Sequence, residues 1–174
     1  MPNWLQGNFR ARGPKENIIR FISEGLEPSS LLGQDDEIDM ELKEYDEDYI
    51  TVRWTRNRGN EKDYPEWIYI SGTERHFLQP NDFGEFDIHQ TDSKTDFIMV
   101  VSFKADWGIK IDQMREIAKK YEIDIRINGY ELGMEFEQII EVTRKGCVLT
   151  EGIDFISRLS VGVSYAVVRR LSHE

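Results

Sequence analysis

Histidines and carboxylates are the residues of this 174-residue chain whose types and spacing could support chemistry. The histidines stand at positions 76, 89 and 173, and no two have the i, i+2 or i, i+4 spacing that places two imidazoles on one metal ion. His76, next to Glu74 and Arg75 in GTERHFL, is the best candidate for a general acid or base, and the alternative is an ordinary surface or loop residue. The sequence contains neither a P-loop nor a Gly-x-Gly-x-x-Gly pattern. We therefore predict that the protein is not an enzyme.

The carboxylates are concentrated in DDEIDMELKEYDED, residues 35–48, which contains nine acidic residues and one lysine. This segment could be a metal-binding loop, a solvated face or an acidic recognition surface. A calcium loop needs a central glycine, which the segment lacks, so we expect neither a metal nor a cofactor. The residues that we expect to bind a partner are Asp39, Glu41, Asp46, Glu47 and Asp48.

The formal net charge of −11 limits the classes of partner. Such a chain is repelled by nucleic-acid phosphates at long range and attracted to basic protein surfaces. No apolar run approaches the roughly 18 residues of a membrane span, and the N-terminus lacks a signal-peptide pattern. We therefore expect a cytoplasmic protein that binds neither membranes nor nucleic acid directly. Cys147 is the only cysteine, and we expect it to be a small core residue.

Hydrophobic periodicity predicts the elements that position these residues. The segment NWLQGNFRARG alternates like a half-buried strand, and PKENIIRFISEGL has helical spacing. Residues 38–43 and 50–55 alternate as a hairpin whose apolar side we expect to pack on the core, with Trp54 facing inward and the arginines pairing with the acids. EWIYIS predicts a further strand, whereas residues 73–95 have no clear element.

The last third of the chain repeats the strand-and-helix pattern. FIMVVSF predicts a central strand buried on both faces, and IKIDQMREIAKKY predicts a helix. EIDIRING and MEFEQIIEV predict a hairpin, and VGVSYAVVRRL an edge strand. The predicted core consists of Trp4, Phe9, Ile18, Ile22, Val100, Phe103, Ile111, Met114, Ile125 and Phe136.

This order of elements predicts an α+β fold. Two helices that each follow a strand, with a largely antiparallel sheet, favour a ferredoxin-like sandwich with both helices on one face. We predict a single domain over residues 1–174, with an insertion at about 29–96 that contains the acidic hairpin.

Several motifs resemble the YubB-like or Api92-like family, small phage and plasmid proteins with a ferredoxin-like domain. The motifs are MPNW followed by alternation and RGP, then SFKADW before a helix, and finally YELGMEF. The usual Cys after the Trp is Leu5 here, and Gly108 and Ile109 replace the usual prolines after Trp107. The resemblance covers roughly residues 1–26 and 97–150. The resemblance implies a ferredoxin-like fold and an origin on a mobile element. It implies no set of catalytic residues.

Two functions remain. The first is a phage or plasmid accessory protein whose acidic surface inhibits a host nucleic-acid-handling defence enzyme, in the manner of anti-CRISPR or antirestriction inhibitors. The alternative is a ferredoxin-like RNA-binding or RNA-cleaving protein, which rests on analogy between folds. The acidic composition favours the first, because an RNA-processing domain should show clustered lysines and arginines.

Overall fold

The computed structural model describes residues 3–28, 37–58 and 61–155. Within these ranges the two helices are α1 (Lys15–Glu24) and α2 (Ile111–Tyr121). The strands are β1 (Trp4–Gly13), β2 (Leu26–Pro28), β3 (Glu37–Glu44), β4 (Tyr49–Arg58), β5 (Glu61–Asp63), β6 (Ile68–Ile70), β7 (His76–Gln79), β8 (Glu85–Gln90), β9 (Phe97–Asp106), β10 (Asp124–Glu131), β11 (Phe136–Val142) and β12 (Val148–Phe155). The edge strand predicted at residues 161–171 lies outside the described residues, as does His173.

One antiparallel sheet connects all of these strands. Its main path runs β12-β11-β10-β1-β9-β7-β6-β2, so that β1 lies between β10 and β9. The other edge of β9 is shared, because β7 pairs with its C-terminal half and β8 with its N-terminal end. Strand β8 also pairs with β4, which in turn pairs with β3 and β5. The predicted α+β class with an antiparallel sheet and two helices is confirmed.

Both helices pack on the same face of the sheet. Alternation along β1 turns Leu5, Phe9 and Ala11 toward the helices and leaves Gln6, Asn8 and Arg10 on the other side. The ring of Phe21 on α1 meets the ring of Tyr121 on α2 edge-on, with centroids 5.5 Å apart. The core therefore lies between this helical pair and one face of the sheet.

Burial confirms most of the predicted core. The buried members are Phe9, Ile18, Ile22, Phe103, Met114 and Ile125, and the partly buried members are Trp4, Ile111 and Phe136. Val100 was predicted to be buried, but 47% of it is exposed. Strand β9 is central by its hydrogen bonds, yet its residues alternate between buried and open positions because the helices cover only one face.

Two further predictions about burial are wrong. Met40 and Leu42, on the side of the hairpin expected to pack on the core, are each 45% exposed, whereas Trp54 opposite Met40 is buried as predicted. Strand β3 lies one strand further from the core than β4, and this explains the difference. Cys147 is exposed rather than buried. Trp107 lies at the end of β9, directly after Asp106, and 64% of its surface is exposed.

The segment without a predicted element, residues 73–95, contains two strands, β7 and β8. The prediction missed them because a turn-rich sequence surrounds each short strand. Pairing with β9 supplies the hydrogen bonds that local sequence alone does not specify.

Candidate binding surfaces

The acidic arm is the hairpin of β3 and β4, residues 37–58. Its predicted partner-binding residues are all exposed: Asp39, Glu41, Asp46, Glu47 and Asp48. The first two lie on β3, and the other three form the turn, where an Asp46 carboxylate oxygen accepts a hydrogen bond from the Asp48 amide at 2.9 Å. The structure thus places three acids at the tip and two along the outer strand.

Lysines partly neutralise the acidic arm. Lys43 lies 3.4 Å from the Glu41 carboxylate, and Lys15 of α1 lies 2.6 Å from that of Glu44. Because these are exposed ion pairs, each contributes little stability and leaves most of the acidic potential in place. The apolar side chains of Met40 and Leu42 point to the opposite side of β3 and remain half-exposed.

Contacts with β8 fix the arm to the body of the protein. Arg53 was predicted to pair with an acid across the hairpin, and the register does place it opposite Glu41. Its guanidinium instead bonds the carboxylate of Glu85 on β8, which is 8% exposed. The Tyr49 hydroxyl donates to Asp87 at 2.8 Å, and this hydrogen bond raises the pKa of Tyr49 to about 12.

His76, the catalytic candidate, is a buried residue of β7 rather than a surface or loop residue. Its Nδ1 lies 2.9 Å from the carbonyl oxygen of Glu74, and its Nε2 lies 3.3 Å from the amide nitrogen of Lys110. Nδ1 therefore donates and Nε2 accepts, which is the pattern of a neutral imidazole. Burial first, and the charge of Lys110 in addition, lower the pKa of His76 to about 4. Both ring nitrogens form hydrogen bonds with backbone groups, so the side chain has a structural role.

The carboxylates of Asp96 and Asp124 are held by arginine. Arg144 lies 2.8 Å from the first and 2.7 Å from the second. Burial opposes ionisation of Asp124, but hydrogen bonds from Arg144 and Arg12 leave its pKa below the usual range. In the part of the chain that the structure describes, no group of three or more His, Cys, Asp or Glu residues could hold a metal ion.

The open sheet face is the side of β10, β1, β9 and β7 that points away from the helices. Gln6, Asn8 and Arg10 project from it on β1, and all three are exposed. One row across the strands runs from Tyr130 through Gln6 and Lys104 to Phe77 and continues to Tyr69 on β6. The sequence showed the alternation on each strand, but only the register reveals this row.

Aromatic rings surround the ammonium group of Lys104 at one end of this face. Its Nζ lies 3.8 Å from the ring centroid of Trp67 and 5.2 Å from that of Trp4. The guanidinium of Arg75 also lies 5.2 Å from the Trp4 ring. Burial among these rings lowers the pKa of Lys104, against the opposing charge of Glu66. Trp4 therefore begins the central strand and belongs to an aromatic and basic cluster.

A shallow depression of about 450 Å³ adjoins this cluster. It is lined by Asn3, Trp4, Gln6, Tyr130, Glu131, Leu132 and Gly133. The buried carboxylate of Glu131 accepts hydrogen bonds from the amides of Gly133 and Met134, which fixes the loop at its rim.

Comparison with known proteins gives no significant match to any family model, curated protein or solved structure. Neither described helix has the length and apolar character needed to cross a membrane.

Proposed function

We propose that the protein is a binding protein that presents its acidic arm to the basic surface of another protein. The observation that carries this proposal is the exposure of all five predicted acids on β3 and its turn. Their backbone belongs to a hairpin that is paired to β8 and fixed by Arg53 and Glu85, so the charges have defined positions. A defined row of charge selects a complementary partner and speeds encounter with it.

A ferredoxin-like core is the proposed frame for this arm. The supporting observations are the order β10-β1-β9-β7, with α1 following β1 and α2 following β9. Strands β2 to β6 and β8 belong to the additional segment between the two strand-and-helix units, and β11 and β12 extend the opposite edge.

The proposed partner is a nucleic-acid-handling enzyme, because its groove carries basic side chains spaced to meet phosphates. Alternate side chains on one side of a strand are about 6.6 Å apart, so the arm matches phosphate spacing only coarsely. Affinity then requires apolar contacts in addition. Met40 and Leu42 supply exposed apolar surface on the other side of the strand that carries Asp39 and Glu41, so the partner would contact both sides of β3. In this proposal the protein is a phage or plasmid accessory factor that inhibits a cytoplasmic host defence enzyme.

The test is a pull-down from bacterial lysate with the full chain and with D46K/E47K/D48K. The matched control is D92K/D112K/E116K, which makes the same charge change at exposed positions outside the arm. The wild type and the control should retain one nucleic-acid-handling enzyme at low salt, and added nucleic acid should compete for it. The arm variant should lose this capture while keeping its circular dichroism spectrum. Equal capture by the arm variant at every salt concentration would refute the proposal.

A further inference from the structure

Exposed apolar side chains collect at one end of the sheet, where β9, β10 and β12 finish and β1 and β11 begin. Trp107, Leu132 and Met134 are 64%, 77% and 58% exposed there. Asn3 connects them, because its carbonyl oxygen accepts a hydrogen bond from the Trp107 amide at 3.0 Å and it lines the shallow depression together with Leu132. We call these three apolar residues and the adjoining depression the apolar end. Exposed apolar residues that gather in one place favour a contact surface.

Two carboxylates lie next to the apolar end. Glu137 on β11 is directly opposite Asp154 on β12, and on its other side it is directly opposite Tyr130, which lines the depression. Within residues 3–28, 37–58 and 61–155, neither carboxylate has an ion pair or a hydrogen bond. Like charges at directly opposite positions destabilise a strand pair. A cation from a segment outside these ranges would relieve the repulsion.

The C-terminal segment, residues 156–174, begins at this same end of the sheet. Strand β12 finishes at Phe155, which is directly opposite Phe136, the first residue of β11. Neighbouring strands are about 4.8 Å apart, so the end of β9 lies about 19 Å from that of β12, four strands away. An extended chain covers up to about 3.3 Å per residue, so about six residues span this distance. The segment is therefore long enough to reach every residue of the apolar end.

The composition of the C-terminal segment fits the surface that it can reach. Nine of its nineteen residues are apolar, counting Tyr165, and its three arginines outnumber its one glutamate. Arg158 follows Asp154 by only four positions. A second copy of the apolar end would instead bring acids against acids. The charges therefore favour the C-terminal segment over self-association of this surface.

We propose that residues 156–174 fold back over the apolar end of their own chain. Apolar side chains of the segment cover Trp107, Leu132 and Met134, and Arg158 pairs with Glu137 and Asp154. The acidic arm lies beyond β8, on the other side of β1 and β9, so this contact does not depend on the proposed function of the arm.

The test places the photocrosslinking residue p-benzoylphenylalanine at Leu132 of the full chain. After irradiation and trypsin digestion, mass spectrometry should find position 132 joined to residues 159–169, the peptide released by cleavage after Arg158 and Arg169. The matched control places the same crosslinker at Leu149, which is 62% exposed and lies at the opposite end of β12. The control should not give this product. In a mixture of isotope-labelled and unlabelled chains, each product should join two peptides of one chain.

Substitutions in the segment separate apolar contact from charge. V163D/V167D should lower the yield of the Leu132 product about tenfold or more, because both changes remove apolar surface from the contact. S160D/S164D adds the same charges without removing apolar side chains, and should keep most of the wild-type yield. Circular dichroism verifies that both variants keep the fold.

Three outcomes would overturn the proposal. The first is the absence of the 159–169 product from Leu132, or an equal or higher yield from Leu149, which would place the segment along β12. The second is a product that joins labelled to unlabelled chains, which would assign the apolar end to self-association. The third is an equal loss of yield in V163D/V167D and S160D/S164D.

Discussion

The side-chain amide of Gln138 on β11 forms two hydrogen bonds with the backbone of Ile109, just before α2. The Ile109 amide donates to Oε1 at 2.7 Å, and Nε2 donates to the Ile109 carbonyl oxygen at 3.1 Å. Both residues are buried, so water does not replace these bonds. Trp107 and Gly108, which precede Ile109, have φ values of 62° and 118°. The amide therefore fixes a sharp turn between β9 and α2 against the sheet.

Replacing Gln138 with Leu should lower the free energy of unfolding by about 2–4 kcal/mol. The substitution leaves the amide and the carbonyl of Ile109 buried without partners, and each such group costs about 1–3 kcal/mol. Urea denaturation measures the change, with Glu137→Gln on the opposite side of β11 as the control. A loss no larger than that of the control would show that the turn does not depend on this amide.

Truncation of Phe103 to Ala should cost about 3–5 kcal/mol of unfolding free energy. Its ring is 1% exposed, and its centroid lies 6.3 Å from that of Phe9 and 5.7 Å from that of His76. Val100→Ala on the same strand is the matched control and should cost about 1 kcal/mol or less, because Val100 lies on the open side. Similar losses from both variants, measured by chemical denaturation, would contradict the one-sided burial of β9.

Gly7→Ala should destabilise the central strand pair by about 1–3 kcal/mol or more. A Cβ at Gly7 would overlap the carbonyl oxygen of Asn128 on β10, and the backbone on both sides is fixed by the register Gly7↔Gly129. Gly152→Ala on β12 is the control, because a Cβ there meets no atom within 4 Å. A thermal melting temperature unchanged by Gly7→Ala would mean that β1 and β10 can move apart at this point without loss of stability.

The stability of the protein should fall as the pH is lowered from about 6.5 to 4. His76 has a pKa near its ordinary value of 6.5 in the unfolded chain and about 4 in the folded state. Between these two pKa values the imidazole is protonated in the unfolded state and neutral in the folded state. The contribution of His76 to the free energy of unfolding is therefore fully present above pH 6.5 and is lost as the pH falls toward 4. The expected loss is about 3 kcal/mol.

His76→Gln should flatten this dependence in urea titrations at several pH values, while His89→Gln at an exposed position should leave it in place. If the slopes of the wild type and of His76→Gln coincide over this range, the imidazole does not enter the folded state as the neutral form.

Local sequence patterns were enough to predict the class of fold and the exposure of the acids. Period-two and helical patterns predicted β1, α1, β9, α2, β10 and β11, because each of these elements has one apolar side that must be buried. The acids of residues 39–48 alternate with apolar residues or form a turn, so their exposure also followed from local pattern. The ferredoxin-like topology, the family and the inhibitory function stay predictions.

Contacts between distant parts of the chain determine which apolar residues are covered and which polar side chains contact each other. Val100 has an apolar strand sequence around it, yet it is open because both helices pack on the other face. Lys104 reaches Trp4, Trp67 and Phe77 only through the pairing of strands far apart in the chain. His76 is structural rather than accessible because β7 joins β9 inside the core. Local sequence specifies the period of a strand, whereas strand neighbours and their register depend on contacts distant in sequence.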